Sequence, residues 1–533
     1  MTSTAITPPA PVGAVERRLQ KIHMQPVTAV AIVAALIVLV GDSQSLALIP
    51  LVGTMAAEYH LTAAQSPLVL SILSIVGAGA VPVLTRVAER ISLRGFLIIG
   101  LGIATVGNLL CAVAPGFTLL LIGRLLLGLS AAAPISIALM REKSRDVHGT
   151  NRGMGLITAA IGLGVAISFL MGGTVLALNG SVSVVFWIMA LLAAISLIGA
   201  WILVPDFKLE AKEHIDYAGA VLLIIGLTAI AVGISYGADW GWTSAGTLGV
   251  LIGGAVVMAI WVWVELSVKE PLIDLRITFK QTTVPAYFSA GIYSALAILS
   301  NLAVTTFAQI PAEELKAFGP LAYGLTDWGH TVLESAMFLM PTAFFVLFGG
   351  FIMGPIMTKL GLKQTMVFGA LLTIIGFAFL AMWHSTWWAN MLGMAIWGFA
   401  FALGYSAANA AYLHAAKDKE ASLFSAAGTM VFASIGSFGA VVFSAVLAGN
   451  LLIHQLPAEA AAAALKASPA LGSLPSAGAF TWSWIVCAIG GGILLVLAIV
   501  HKNAEYQGGL TEELMLASSE VTGAPEKEII VED

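Results

Sequence analysis

Asp42 and Arg124 are opposite charges set inside long apolar stretches of this 533-residue chain, where an ionisable group is costly enough to point to function. A carboxylate in such a place can take up and release a proton, with an affinity that depends on whether a cation stands beside it. Asp42 lies 15 residues past Val27, about 22 Å along a helix, and Arg124 lies about 21 Å from the same end of its own helix. At one depth the two can pair, which lowers the desolvation penalty each would bear alone. Two readings stay open. Asp42 is either a proton-exchangeable carboxylate tuned by Arg124 or a cationic solute, or half of a permanent ion pair that fixes helix packing. Ser45 falls one turn beyond Asp42 on the same face, and Gly128 with Ala132 places small residues beside Arg124.

Other polar groups recur at helical spacing. Ser294, Asn301, Thr305 and Gln309 share one face of an apolar stretch and should look inward rather than toward lipid. Trp397, Phe401, Tyr405 and Asn409 repeat every fourth residue, a wall suited to stacking on flat or cationic solutes, or to ordinary packing. Glu334 stands behind Asp327 and His330 at the start of another stretch, as a solvated rim residue or as a vestibule or second proton site. Arg86, Glu89, Arg90 and Arg94 crowd one short connection.

The elements that must position these groups are membrane spans. Hydrophobic residues make up 59% of the chain and charged ones 10%, too few polar groups to cover a water-soluble globule of this size. Fourteen spans are expected: 27–52, 64–84, 96–114, 118–139, 154–178, 182–204, 217–236, 244–266, 284–309, 332–357, 366–382, 388–413, 422–447 and 482–500. With the N-terminus in the cytoplasm, all but Lys316, Lys466 and the intraspan Arg124 of the 24 Lys and Arg fall on the inner side. A missed span would reverse every later loop, so the asymmetry supports both the count and cytoplasmic termini. The first apolar run is too long for a signal-peptide core and should stay as an anchor. Cys111 and Cys487 sit inside spans as small packing residues, and no disulfide is expected.

Internal repetition divides the chain. Pro82, Thr85, Arg86, Leu93, Arg94 and Gly100 follow one another as Pro355, Thr358, Lys359, Leu362, Lys363 and Gly369 do later, and Gly123 and Gly128 find an echo in Gly393 and Gly398. The expected organisation is an N-terminal tail (1–26), a six-helix bundle (27–204), an inserted helix pair with its loops (205–283), a second six-helix bundle (284–500) and an acidic tail (501–533). The outer stretch 450–478 is expected to be a short surface helix plus loop, or a linker. Gly233-Ile-Ser235-Tyr-Gly237 fits a nucleophile-elbow pattern only by chance, since it ends a membrane helix. No phosphate loop, His-Glu-x-x-His or Cys-x-x-Cys is present, so the sequence supports no cofactor, metal site or ATP hydrolysis.

The chain resembles the major facilitator superfamily, specifically its fourteen-span drug:proton antiporter branch. The resemblance covers about residues 27–500. Its most specific part is the central pair, with Asp216-Tyr-Ala-Gly219, Gly237-Ala-Asp-Trp240-Gly-Trp242 and Glu270-Pro271-Leu272-Ile-Asp274-Leu275-Arg276. Arg124 with Gly128 falls where the family has its proton-relay arginine, Asp42 with Pro50 resembles its acidic first-span signature, and Arg86, Glu89, Arg90 and Arg94 resemble its cytoplasmic gating loop. The chain departs from the pattern at Thr85, Glu89 and Ser92 in that loop, and at Ser168-Phe169, where the family has Gly-Pro, so span 5 should lack the usual kink.

The resemblance implies an all-α, multi-pass protein of the cell membrane that exports amphipathic, often cationic, drug-like molecules against protons. Asp42 and Arg124 would carry proton coupling, with Ser45, Asn301, Thr305, Trp397, Phe401, Tyr405 and Asn409 lining the cavity. The partners would be a small amphipathic solute, protons and the bilayer, with no nucleic acid, and the protein would act as a monomer. Export or flipping of one endogenous lipid or secondary metabolite is the nearest alternative. A membrane-embedded lipid-modifying enzyme and a non-transporting sensor are the remote ones.

Overall fold

The computed structural model describes residues 26–130, 163–204, 216–268, 271, 275–278, 280, 282–310, 329–415, 421–467, 472, 474–502. Both expected tails lie outside them, apart from their innermost residues, as do Ala132, Asp327 and the basic loop after the fourth span.

Hydrocarbon offers the backbone no hydrogen bonds, so apolar segments of this length must satisfy their amides internally. The described residues are accordingly helical, with one isolated antiparallel bridge between Leu451 and Pro475. The first half contains α1 (Pro26–Leu46), α2 (Val52–Glu58), α3 (Gln65–Ile91), α4 (Leu93–Ala112), α5 (Phe117–Gly128), α6 (Leu163–Ala177) and α7 (Val182–Leu203). The central pair is α8 (Tyr217–Ser235) and α9 (Ala245–Ser267). The second half contains α10 (Val284–Ala308), α11 (Val332–Met337), α12 (Met340–Leu360), α13 (Leu362–Trp383), α14 (Trp387–His414), α15 (Ala421–Gly436), α16 (Phe438–Ala448), α17 (Ala458–Ala467) and α18 (Ala477–Val500). Ten helices among the described residues are long and apolar enough to cross a membrane, and four shorter apolar ones fall within the expected spans 1, 4, 5 and 10.

Several boundaries differ from expectation. α3 runs seven residues past the expected end of span 2 and carries Pro82 inside it. Proline forfeits one amide donor, but the ladder resumes beyond it, and the Thr85 hydroxyl donates to the Val81 carbonyl at 2.8 Å. Span 13 is broken at Ser437 into α15 and α16, and span 10 opens as the separate turn α11 before Pro341 restarts the helix. The 450–478 stretch is a closed excursion: Leu452 N–H donates to Leu474 O at 2.8 Å and Ser476 N–H to Asn450 O at 2.9 Å, with α17 between.

α4 packs on α5 and α7, and α1 on α7, while α13 packs on α14 and α18, and α10 on α14, α15, α16 and α18. α8 lies against α9, and also against α3 and α16, so the central pair is wedged beside both halves. One core cluster, with Tyr293, Phe307, Phe377, Trp397 and Trp484, lies mostly in the second half and takes in Ile49 and Phe169 of the first. Another joins Ile75 and Val83 of α3, Leu223 of α8, Trp261 of α9, Tyr287 of α10 and Phe424 of α15.

The Tyr293 ring is inserted between α13 and α14 because Gly369 and Gly404 leave room for it; any Cβ on Gly404 would overlap its hydroxyl and ring. Gly404→Ala is therefore expected to destabilise the purified protein by about 1–3 kcal/mol through overpacking, seen as a lower melting temperature. Adding Tyr293→Leu, which removes the obstructing ring, should recover part of that loss.

Candidate functional site

Arg124 lies near the middle of the short helix α5 and is fully buried, at 0% exposure. Its guanidinium is held by backbone: Nε donates to Val69 O at 3.0 Å, Nη2 to Leu70 O at 3.5 Å, and Nη1 to Gln44 O at 2.5 Å. One side chain therefore ties α5 to α3 and α1 at once. Gln44 is two residues from Asp42, which lies four residues before the end of α1; the Asp42 side chain is outside the described residues.

Around this node the structure assembles polar groups that sequence reasoning passed over. Ser43 and Gln44 are buried, Ser43 Oγ donates to Leu39 O at 2.9 Å, and Ser168 Oγ of α6 donates to Ser43 Oγ at 3.3 Å. Gln44 Nε2 is buried with no hydrogen-bond partner. The signal available was position alone: Ser43 and Gln44 flank Asp42, and Ser168 replaces an expected glycine. Ser45, by contrast, is exposed and bonds back to Gly41 O at 3.2 Å.

The polar face of α10 does turn inward, with Ser294, Asn301 and Thr305 buried. Thr305 Oγ1 donates to its own helix at Asn301 O, 2.9 Å away, whereas Asn301 Oδ1 accepts no hydrogen bond. Gln309 reaches across the halves: its Nε2 donates to Pro50 O and to Ser335 Oγ, both at 2.7 Å. Ser71 Oγ donates to Ser437 O at 2.6 Å, on the carbonyl at the break between α15 and α16, and Ser444 Oγ to Ala63 O at 3.0 Å. These three bonds join the halves of the chain.

The aromatic stripe on α14 divides in two. Trp397 is fully buried between Tyr293 and Phe377, with ring centroids 6.1 Å and 4.7 Å away, inside the core of the second half. Phe401, Tyr405 and Asn409 are half-buried. Phe401 stacks on Tyr405 at 5.0 Å, Tyr405 tilts against Phe432 at 5.2 Å, and Tyr412 donates to Asn409 Oδ1. Phe432, on α15, was not legible as part of this wall because it belongs to a distant stretch of sequence.

Glu334 is exposed and closes a capping box on α11: Thr331 N–H donates to its Oε2 at 2.8 Å, and Glu334 N–H to Thr331 Oγ1 at 3.3 Å. His330 Nδ1 lies 3.5 Å from the same carboxylate. In the charged connection, Ser92 caps α4 by accepting from Gly95 N–H at 2.9 Å. Arg86 Nη1 donates to Pro271 O at 3.0 Å, toward the central pair, and Arg94 Nη2 to Trp201 O of α7 at 2.7 Å. Arg90 is exposed, and the Glu89 side chain lies outside the described residues. Cys111 and Cys487 are buried and free.

A buried cation held by backbone carbonyls among long apolar helices defines a polytopic membrane protein rather than a soluble catalyst. The profile of the Major Facilitator Superfamily matches residues 31–441, and the chain belongs to that family. It is a multi-pass protein of the cell membrane. It is 25% identical over 314 residues to the major facilitator superfamily multidrug transporter mfsC of Aspergillus fumigatus, covering 58% of this chain and 57% of that one. It is also 25% identical over 465 residues to the methyl viologen resistance protein SmvA of Salmonella typhimurium, covering 81% and 88%. In several of these comparisons, mfsC included, the chain spans little more than half the length of the curated relative. Among solved structures, a POT family transporter in complex with 5-aminolevulinic acid superposes with a TM-score of 0.58 at 16% identity, covering 92% of this chain and 98% of that one. The human organic anion transporter MFSD10 gives 0.55 at 14% identity, covering 90% and 100%. At such identity these likenesses concern the fold alone.

Arg124→Lys keeps the charge but not the fork that spans two helices. It is expected to cost about 1.5–3 kcal/mol, the worth of a charged hydrogen bond, read as a fall in melting temperature with unchanged helical circular dichroism.

Proposed function

We propose that this protein is a secondary active transporter that exports amphipathic, often cationic, drug-like molecules in exchange for protons. In this reading fourteen spans form two six-helix bundles, 27–204 and 284–500, with 205–283 as an inserted pair and both termini cytoplasmic. The bundles rock about a central cavity, exposing it to each side in turn.

The observation that carries the reading is the Arg124 node. A guanidinium buried among three helices, bonded to the carbonyl two residues from Asp42, supplies the positive charge that lowers a nearby carboxylate's proton affinity. Arrival of a cationic solute would compete with the proton for Asp42, which couples the two fluxes. The half-buried Phe401, Tyr405 and Phe432 rings offer π faces to such a solute. The names of the relatives, multidrug and methyl viologen resistance proteins, agree with a lipophilic cation. The Gln309, Ser71 and Ser444 bonds between the halves are the contacts that rocking must break. Arg86 and Arg94, with Arg90 and Glu89, would steady the cytoplasmic side, and Glu334 serves the outer rim.

A second reading, export of one endogenous lipid or metabolite, is favoured by Ser168, whose buried hydroxyl fills space beside Ser43 where the family has glycine. A narrowed cavity would accept fewer solutes.

In energised inverted vesicles, lipophilic cations should trigger proton release by the wild type, and Asp42→Asn should abolish it at equal protein level. Release by neither protein for any solute of a broad panel would remove the antiport reading and leave Asp42 and Arg124 as a packing pair. Tyr405→Ala should weaken the apparent affinity for a lipophilic cation about tenfold while sparing neutral amphiphiles, since a desolvated cation–π contact is worth up to about 2 kcal/mol.

A further inference from the structure

The internal repeat employs its two copies differently. In the first half Arg94, at the start of α4, turns back on the protein and donates to Trp201 O in the last turn of α7. Its counterpart Lys363, at the start of α13, makes no hydrogen bond or ion pair among the described residues, although α18, which corresponds to α7, packs on α13. Lys363 stands half-buried at the mouth of a surface groove of about 270 Å³, and the lining continues along α13 as Gln364, Val367, Phe368 and Leu371. Polar groups thus lie at one end and apolar ones follow at helical spacing, with Phe368 47% and Leu371 41% exposed, on a face that no other helix covers fully. Lys363 to Leu371 is about 12 Å of helix, against about 15 Å for the hydrocarbon of one leaflet.

The helix ends around the mouth carry positive charge. Lys359 is exposed in the last turn of α12, no acidic residue stands in the first turn of α13, and Lys502 follows α18. His501 lies within the field of Lys363, which after burial is the second cause of its lowered proton affinity. Charge placement assigns this end of the helices to the cytoplasmic side.

We propose that this groove seats one anionic phospholipid of the adjoining leaflet, with its phosphate on Lys363 and the upper part of an acyl chain along Val367, Phe368 and Leu371. A lysine that only reached for water would lie beside any lipid alike. An ammonium with no acceptor from the protein, backed by Lys359, instead favours a headgroup of net negative charge. The exposed Gln364 amide can donate to the ester oxygens below the phosphate, and the Phe368 ring gives the chain an apolar wall. Such a seat needs neither a transported solute nor a proton gradient.

The test is native mass spectrometry on the purified, delipidated full chain, titrated with phosphatidylglycerol or with phosphatidylethanolamine of identical acyl chains. The wild type should hold one phosphatidylglycerol more tightly than any phosphatidylethanolamine. Lys363→Gln should weaken that binding about fivefold, the worth of one lysine beside an anionic surface. Lys466→Gln, the same charge change on α17, should leave it unaltered. Asp42→Asn, which tests the antiport reading, should also keep the lipid, so the two readings fail separately. Equal affinity of the wild type for both lipids, or equal loss in Lys363→Gln and Lys466→Gln, overturns the proposal. The wild type alone gives a second measure that does not depend on variants folding. Phosphatidylglycerol with a diazirine near the top of its acyl chain should label Phe368 or Leu371 in vesicles above Ile260 and Trp263, which are exposed toward the same end of α9. Even labelling of the two helices overturns the seat. A carbodiimide cross-link from Lys363 to Glu505, Glu512 or Glu513 in place of the lipid label assigns the groove to the chain's own acidic tail and overturns it as well.

Discussion

Arg124 carries a full charge into a region where lipid can solvate nothing, and the helices around it are arranged so that backbone does what water would do. Its three carbonyl partners belong to two other helices, so α5 cannot shift along α1 or α3 without stranding a guanidinium. Helix–helix association in a membrane lacks a hydrophobic drive of its own, which leaves packing and interhelical hydrogen bonds to set the register. The small polar groups nearby follow from this. The node joins α1, α3 and α5, and Ser43 and Gln44 are buried beside it, with Ser168 of α6 bonded to Ser43.

The second half is held differently. Its centre is aromatic, with Tyr293, Trp397, Phe377 and Trp484 in a chain of ring contacts and Phe307 set against Phe480, and its helices approach closely where glycines admit a ring. Where a helix is interrupted, the freed backbone is put to use. The carbonyl of Ser437, at the break in span 13, accepts a hydroxyl from the opposite half at Ser71. Both kinds of contact cross between the halves: the Ser71, Ser444 and Gln309 hydrogen bonds, and the apolar cluster of Ile75, Val83, Tyr287 and Phe424.

The central pair links these two arrangements. α9 is mostly turned outward, but α8 touches α3 and α16 together, and Arg86 reaches the Pro271 carbonyl from the connection after α3. The carboxylates of Asp216 and Glu265 meet at its base, 49 residues apart in sequence and adjacent only because α8 and α9 run antiparallel from one cleft. In the sequence Asp216 stood out only within the central-pair resemblance, and Glu265 did not stand out at all.

Ten of the expected spans appear among the described residues as helices long and apolar enough to cross a membrane, and they were legible because the bilayer imposes a length and a composition on each segment independently. Intraspan Arg124 and the inward face of α10 were readable for the same reason, since a polar group toward lipid is too costly to persist. What each polar group touches was decided only in three dimensions. Sequence periodicity gave Trp397 and Phe401 the same standing, yet Trp397 is enclosed between Phe377 of α13 and Tyr293 of α10, whereas Phe401 meets Tyr293 edge-on and stays half-open beside Tyr405. Glu334 read as a vestibule acid or rim residue and is seen capping a helix, a bond that depends on the backbone angle at Thr331. Local composition determines whether a segment can live in a membrane, whereas partners for buried charge come from other helices, and their identity exists only once the helices are packed.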